Sequence, residues 1–98
     1  MRLEFINSIL YILSFYKIKK EMKFMLSKNV IYLKRKNNLS NRSIAKLSGT
    51  PKNTIDKIIK ETDYKNITIG TIMKLSAFFT VSIDDLLYED LEQKNQKK

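Results

Sequence analysis

The stretch that decides the fold runs from Leu39 to Lys60 and reads LSNRSIAKLSGTPKNTIDKIIK. It contains two short amphipathic patterns, one on each side of Gly49. Ser40 is a good N-cap residue, because its hydroxyl can accept a hydrogen bond from an N–H group of the first helical turn. Glycine adopts without strain the left-handed conformation that ends many helices. These signals predict one helix before Gly49 and one after it.

Apolar spacing indicates which side of each predicted helix faces inward. The inward positions are Ile44, Ala45 and Leu47 in the first helix, and Ile55 and Ile58 in the second. The second helix begins near Pro51, since the N–H group that proline lacks would be unpaired in a first turn. A short turn between two helices, the second of them polar on its outer face, is the helix-turn-helix pattern.

These residues carry a resemblance to a known family. The run L-S-x-x-x-I-A-K-L-S-G-T-x-x-x-T-I over residues 39–55 resembles the Cro-like phage-repressor (XRE) helix-turn-helix family. The family's supporting segment follows at Ile67–Leu87 as ITIGTIMKLSAFFTVSIDDLL. The resemblance covers about Ser27 to Tyr88. It implies an all-α, five-helix, lambda-repressor-like domain that binds double-stranded DNA as a homodimer on a palindromic operator, with no enzymatic activity and no cofactor.

By this resemblance the second helix of the motif, about Lys52 to Lys60, is the recognition helix that enters the major groove. Lys52 and Asn53 fall at base-reading positions, and Lys57 lies one turn further on. Lysine can donate to guanine O6 and N7, and asparagine can pair with adenine N6 and N7. Asp56 is expected to pair with a lysine at helical spacing rather than to approach the phosphates.

Contacts with the DNA backbone are expected from a second group of polar residues. Asn41 suits this role because an amide beside the N–H groups of a helix N-terminus makes a phosphate site. The predicted backbone contacts are Asn41, Arg42, Thr54, Lys65 and Asn66.

The flanking helices follow from caps and apolar spacing. Helix 1 is predicted from about Lys28 to Asn38 with Ser27 as its N-cap, and helix 4 over Ile69–Phe79 with Thr68 as its N-cap. Helix 5 follows Ser82. Thr80 departs from the family, in which glycine usually ends helix 4, and this departure is expected to reduce stability.

Composition agrees with polyanion binding. The chain has 98 residues, a formal net charge of +9, and neither cysteine nor histidine, which excludes disulfides, the usual zinc ligand sets and histidine-based acid–base catalysis. Residues 17–65 contain fourteen Lys or Arg and only four Asp or Glu. The excess of positive charge therefore lies in the helix-turn-helix half, where it favours neutralisation of phosphates. A reducing, cytoplasmic location fits the absence of cysteine.

Residues 1–24 form an apolar extension whose run Leu3–Ile18 is too short and too interrupted for a membrane span. Two interpretations remain open. The run is a helix that packs against the domain or against a second copy, or translation starts at Met25 or Met22 and the preceding residues are not part of the natural protein.

The predicted organisation is thus an extension at residues 1–24, a DNA-binding domain at residues 25–90 and a disordered polar tail at residues 91–98. The predicted function is a transcriptional regulator, in particular a repressor. One alternative is an antitoxin that binds DNA and a toxin partner through the extension or the acidic end. Another is an interaction protein that has lost DNA binding.

Overall fold

The computed structural model of the chain describes residues 20–61 and 67–96. In chain order its helices are α1 (Lys20–Lys36), α2 (Asn41–Ser48), α3 (Lys52–Lys60), α4 (Ile69–Phe79), α5 (Ile83–Tyr88) and α6 (Leu91–Gln96). The all-α prediction and the bounds predicted for α3 and α4 are confirmed. Within these two ranges, none of the helices is long and apolar enough to cross a membrane.

One apolar core joins all six helices. Its buried side chains are Leu26, Val30, Leu33, Ile44, Ile55, Ile58, Ile67, Ile72, Leu75, Leu86, Leu87 and Leu91. Each buried side chain of this size contributes about 1.5–3 kcal/mol relative to an exposed one. Because α2 contributes Ile44 and α3 contributes Ile55 and Ile58, the same core that stabilises the domain also fixes the two helices of the motif against each other.

Leu47 is an exception to the predicted inward side of α2. Its side chain is 63% exposed, whereas Ile44 is fully buried and Ala45 packs against the core. The prediction for Leu47 is therefore wrong. At about 100° per residue, Ala45 lies about 100° from Ile44 on one side of the helix axis and Leu47 about 60° from it on the other side. The core covers the side of Ala45, which leaves Leu47 at its margin.

Helix α1 begins at Lys20 rather than at Lys28, and Ser27 is not its N-cap. Ser27 lies inside α1, is fully buried, and donates a hydrogen bond from Oγ to the backbone oxygen of Ile58 at 2.6 Å. The hydroxyl that looks like a cap in the sequence is thus a contact between α1 and α3. Residues 1–19, and with them the two interpretations of the apolar run, lie outside the described residues.

Asn29 connects α1 to the C-terminal helices through a buried hydrogen-bond network. Its Nδ2 donates to the backbone oxygens of Leu86 at 2.7 Å and Glu89 at 2.8 Å. Its Oδ1 accepts from the backbone N–H of Leu91 at 3.0 Å. The side chain is fully buried. One amide therefore satisfies backbone groups at the end of α5 and at the start of α6.

The C-terminal segment differs from the disordered tail predicted at residues 91–98, because residues Leu91–Gln96 form α6. Leu91 is buried in the core, and Asn95 Nδ2 donates to the Tyr32 hydroxyl at 2.8 Å. Lys28 forms an ion pair with Asp90 at the start of this segment. Contacts with α1 thus order a sequence whose composition alone indicates disorder.

The α4–α5 connection contains the predicted departure at Thr80. The N-caps Thr68 and Ser82 accept hydrogen bonds from the backbone N–H groups of Thr71 and Asp85, as predicted. Thr80 ends α4 in the left-handed conformation with φ 56°. This conformation crowds a β-branched side chain, and it is the conformation that glycine adopts without strain.

We expect Thr80→Gly to stabilise the domain by about 1 kcal/mol, because the relief of left-handed strain exceeds the additional backbone entropy of glycine. The measurement is urea denaturation of the full chain. Ala77→Gly is the matched control: it introduces glycine at an exposed position inside the same helix, where it should cost about 1 kcal/mol. Equal losses for both variants would show that Thr80 is not strained.

Candidate nucleic-acid interface

The turn between α2 and α3 has the predicted geometry. Ser40 Oγ accepts a hydrogen bond from the backbone N–H of Ser43 at 3.0 Å, which caps α2. Gly49 has φ 76°, and its N–H donates to the Ala45 oxygen at 3.0 Å. Because left-handed backbone of this kind suits glycine, the turn follows directly from the local sequence.

The exposed face of α3 begins with the two predicted base-reading residues. Lys52 and Asn53 are both exposed and occupy the first turn, which contains no acidic residue. Lys57 is half-buried and lies with Lys60 in the last turn. The N-terminus of a helix favours negative charge through its dipole. Polar donors and a positive helix end therefore face solvent together at the start of α3.

Asp56 links the two helices of the motif through its carboxylate. Its Oδ1 accepts a hydrogen bond from Asn41 Nδ2 at 2.8 Å, and its Oδ2 accepts one from Lys52 Nζ at 2.9 Å. The pairing expected between Asp56 and a lysine is thus confirmed for Lys52, at i,i+4 spacing. The bond from Asn41 was not predicted, since it joins residues fifteen positions apart in the sequence.

The two hydrogen bonds keep the Asp56 carboxylate charged. The bond from Asn41 is the largest cause that lowers the pKa of Asp56 below 3.8, and the bond from Lys52 is the second. Because the pKa is lower in the folded state, the stabilising effect is fully present above pH 3.8 and is lost as the pH falls through the lowered value. Asp56 is therefore an anion at neutral pH.

The predicted backbone contacts are only partly brought together. Asn41 and Arg42 share the first turn of α2, where Arg42 is exposed and Asn41 is half-buried. Thr54 is half-buried in the first turn of α3. Lys65 and Asn66 lie outside the described residues. The groups near the start of α3 are thus Asn41, Lys52 and Asn53, with Asp56 between the first two.

Other cations have structural partners or lie beside the motif. Arg35 NH2 is 3.5 Å from Glu92 Oε2, and Lys36 Nζ is 5.8 Å from the centre of the Tyr32 ring. The first contact directs Arg35 toward the C-terminal segment, and the second lies within α1. Lys74 of α4 was not predicted: its Nζ donates to the Gly49 oxygen at 3.3 Å, which places a cation beside the turn. Only its position as the one lysine of α4 could have drawn attention to it.

The described residues lack the geometry that a metal site requires. Among residues 20–61 and 67–96, no group of three or more Asp, Glu, His or Cys side chains has the geometry to hold a metal ion. The acidic residues near the C-terminus form ion pairs instead, as between Asp85 Oδ2 and Lys94 Nζ at 3.4 Å.

A comparison with protein families shows to which family the chain belongs. The helix-turn-helix family model matches residues 31–86, which is more than half of the chain. The chain belongs to this XRE-type helix-turn-helix family. The resemblance stated from the sequence is thereby confirmed. Comparisons with curated proteins and with solved structures gave no match.

Membership in the helix-turn-helix family indicates the function at a general level. Proteins of this family are DNA-binding transcription regulators, and so is this chain at that level of description. The matched residues include α2, α3 and α4 and the first four of the six residues of α5, while α6 follows the match. The buried contacts from Ser27 and Asn29 to α3 and α5 are therefore additions to the matched region.

Proposed function

We propose that this helix-turn-helix protein is a repressor that binds a specific operator in double-stranded DNA through α3. The observation that carries the proposal is the first turn of α3, where Lys52 and Asn53 are exposed side by side. Lysine and asparagine at adjacent positions can distinguish guanine from adenine in the major groove, the only groove in which all four base pairs differ.

The charge distribution supports binding to the DNA backbone. Residues 17–65, which include the motif, contain the excess of Lys and Arg. Arg42 and the amide of Asn41 lie at the N-terminus of α2, a position suited to phosphate. Thr54, Lys65 and Asn66 remain proposed backbone contacts. In this arrangement α2 crosses the backbone while α3 reads bases.

We further propose that the protein acts in the cytoplasm as a homodimer on a palindromic operator. Tyr88 ends α5 and is 60% exposed, and its hydroxyl donates to Met22 Sδ at 3.9 Å. An exposed aromatic residue at the end of the helix that relatives often use for dimerisation supports this arrangement. Two-fold symmetry would place the two recognition helices about 34–36 Å apart, one turn of DNA.

The proposal is tested by selecting DNA duplexes from a randomised pool with the full chain and measuring affinity as a function of salt. We expect a palindromic consensus and a complex that contains two protein chains. With roughly six phosphate contacts, affinity for the selected duplex should fall about a thousandfold between 50 and 200 mM salt. Mixed-sequence DNA should bind at least about a thousandfold more weakly at physiological salt.

Equal affinity for the selected and the mixed-sequence DNA would contradict the proposal. A consensus that appears only in the presence of a second protein would favour the antitoxin alternative instead. A complex with one chain per duplex would retain sequence recognition but reject the homodimer.

A further inference from the structure

We infer that Asp56 is a specificity-determining residue. Its negative charge cancels the attraction of Lys52 for phosphates, while the N–H donors of Lys52 that Asp56 does not bind remain available to the bases. The inference rests on the proposed DNA-binding function and adds to it a mechanism of discrimination. It starts from the row of hydrogen bonds Asn41–Asp56–Lys52 at the exposed start of the motif.

The two carboxylate oxygens of Asp56 bind different partners. Oδ1 is held by Asn41 of α2, so that the carboxylate has a fixed position relative to both helices. Oδ2 holds the ammonium group of Lys52 at 2.9 Å. Because Asn41 holds one oxygen, the other remains oriented toward Lys52, and the side chain of Lys52 extends along α3 instead of moving freely in solvent.

The charges explain why this arrangement affects discrimination. Non-specific DNA binding comes almost entirely from cations that neutralise phosphates and release counterions. A lysine paired with a carboxylate has no net charge for this purpose. Its ammonium group has three N–H donors, of which the bond to Asp56 uses one, and the other two can still donate to guanine O6 and N7. The pair therefore retains base recognition and reduces sequence-independent attraction.

Lys52 is partly exposed, so that its ammonium group can bind Asp56 and a base at the same time. Half of its side-chain surface is accessible, whereas only 27% of the Asp56 side-chain surface is accessible. Lys52 is thus the member of the pair that can contact a base edge, and the less accessible Asp56 carboxylate stays behind it. A phosphate that approached the same place would meet the charge of Asp56 as well as that of Lys52.

The test compares Asp56→Asn with Asp84→Asn, which removes one negative charge on α5, outside the motif. Affinity is measured for a duplex selected by the wild-type full chain and for mixed-sequence DNA, each over a range of salt. Asparagine keeps the shape of the side chain and an oxygen that can accept from Asn41, and thermal unfolding verifies that each variant is folded.

We expect Asp56→Asn to bind mixed-sequence DNA about tenfold more tightly per protomer at 0.1 M salt, with the salt slope steeper by about 0.9. The affinity for the selected duplex should rise less, so that the ratio of specific to non-specific affinity falls several-fold. Asp84→Asn should change both quantities much less. Identical salt slopes and affinity ratios for the two variants would overturn the inference.

A second pair of variants shows whether Asp56 acts through Lys52. In the background of Lys52→Gln, the additional change Asp56→Asn removes an unpaired negative charge and should raise the affinity for both duplexes by a similar factor. It should no longer lower the affinity ratio, because no lysine charge remains to be released. An undiminished effect in that background would also overturn the inference. If the wild-type chain binds both DNAs equally, the proposed operator function fails, and the salt slopes on mixed-sequence DNA still decide whether Asp56 cancels the charge of Lys52.

Discussion

The double variant Lys52→Ala, Asn53→Ala is expected to bind the selected duplex at least about a hundredfold more weakly than the wild-type chain. Each bidentate contact between a side chain and a base contributes about 1–3 kcal/mol of discrimination, and the two contacts are lost together. Removal of Lys52 also leaves Asp56 with a charge that no longer has its partner at 2.9 Å, close to the DNA. The measurement is a binding isotherm at physiological salt.

The chain contains a matched control for this variant. Lys94 and Asn95 are the same two residues in the same order, and they lie in α6, outside the motif. The variant Lys94→Ala, Asn95→Ala removes equal charge and equal side-chain atoms, and we expect it to change the affinity less than threefold. Comparable losses for the two double variants would mean that α3 does not read the bases. No detectable binding of any duplex by the wild-type chain would instead favour the interaction protein that has lost DNA binding.

The second large effect is expected from Asn29→Ala, which should reduce the free energy of unfolding by about 3 kcal/mol or more. The substitution removes the bonds that the Asn29 amide supplies to the backbone oxygens of Asp85, Leu86 and Glu89 and to the backbone N–H of Leu91. Each buried polar group that loses its partner costs about 1–3 kcal/mol. A domain of this size has only about 5–15 kcal/mol in total, so that this loss removes a large part of its stability.

Urea denaturation followed by circular dichroism measures this loss, with Asn37→Ala as the control in the turn that follows α1. Asn37 also donates one side-chain hydrogen bond, to the Leu33 oxygen at 2.8 Å, but its side chain is exposed, so that water can replace the bond. We expect this control to cost less than about 1 kcal/mol. A loss of similar size for both variants would show that water reaches the Asn29 network.

Asn29→Asp tests the direction of the hydrogen bonds. Aspartate can still accept from the Leu91 N–H, but it would present its second oxygen to the carbonyl oxygens of Leu86 and Glu89, which only a donor can satisfy. We therefore expect Asn29→Asp to be at least as unstable as Asn29→Ala at neutral pH, because it also buries an unpaired charge.

The local sequence alone determined the helix-turn-helix. Ser40, Gly49 and Pro51 specify the start of α2, its left-handed end and the entry into α3, and each acts through its own backbone or its near neighbours. The spacing of Ile44, Ile55 and Ile58 identifies the buried sides of the two helices. Such signals can be read from a sequence because they depend on residues only a few positions apart.

Tertiary contacts decided the features that the sequence did not reveal. The hydroxyl of Ser27 resembles an N-cap, but it bonds to a backbone oxygen thirty-one residues away, and α1 therefore continues through it. The segment of α6 is too polar to indicate a helix, and the burial of Leu91 together with the amide of Asn29 orders it. Asn41 and Asp56 meet because the core fixes the angle between α2 and α3.

The family and the two helices of the motif thus followed from local backbone chemistry, whose partners lie within a few residues. The length of α1, the presence of α6 and the bond from Asn41 to Asp56 depended on side chains distant in the sequence. Their positions become known only when the core has formed, because a buried polar group bonds to whichever complementary group the packing brings within reach.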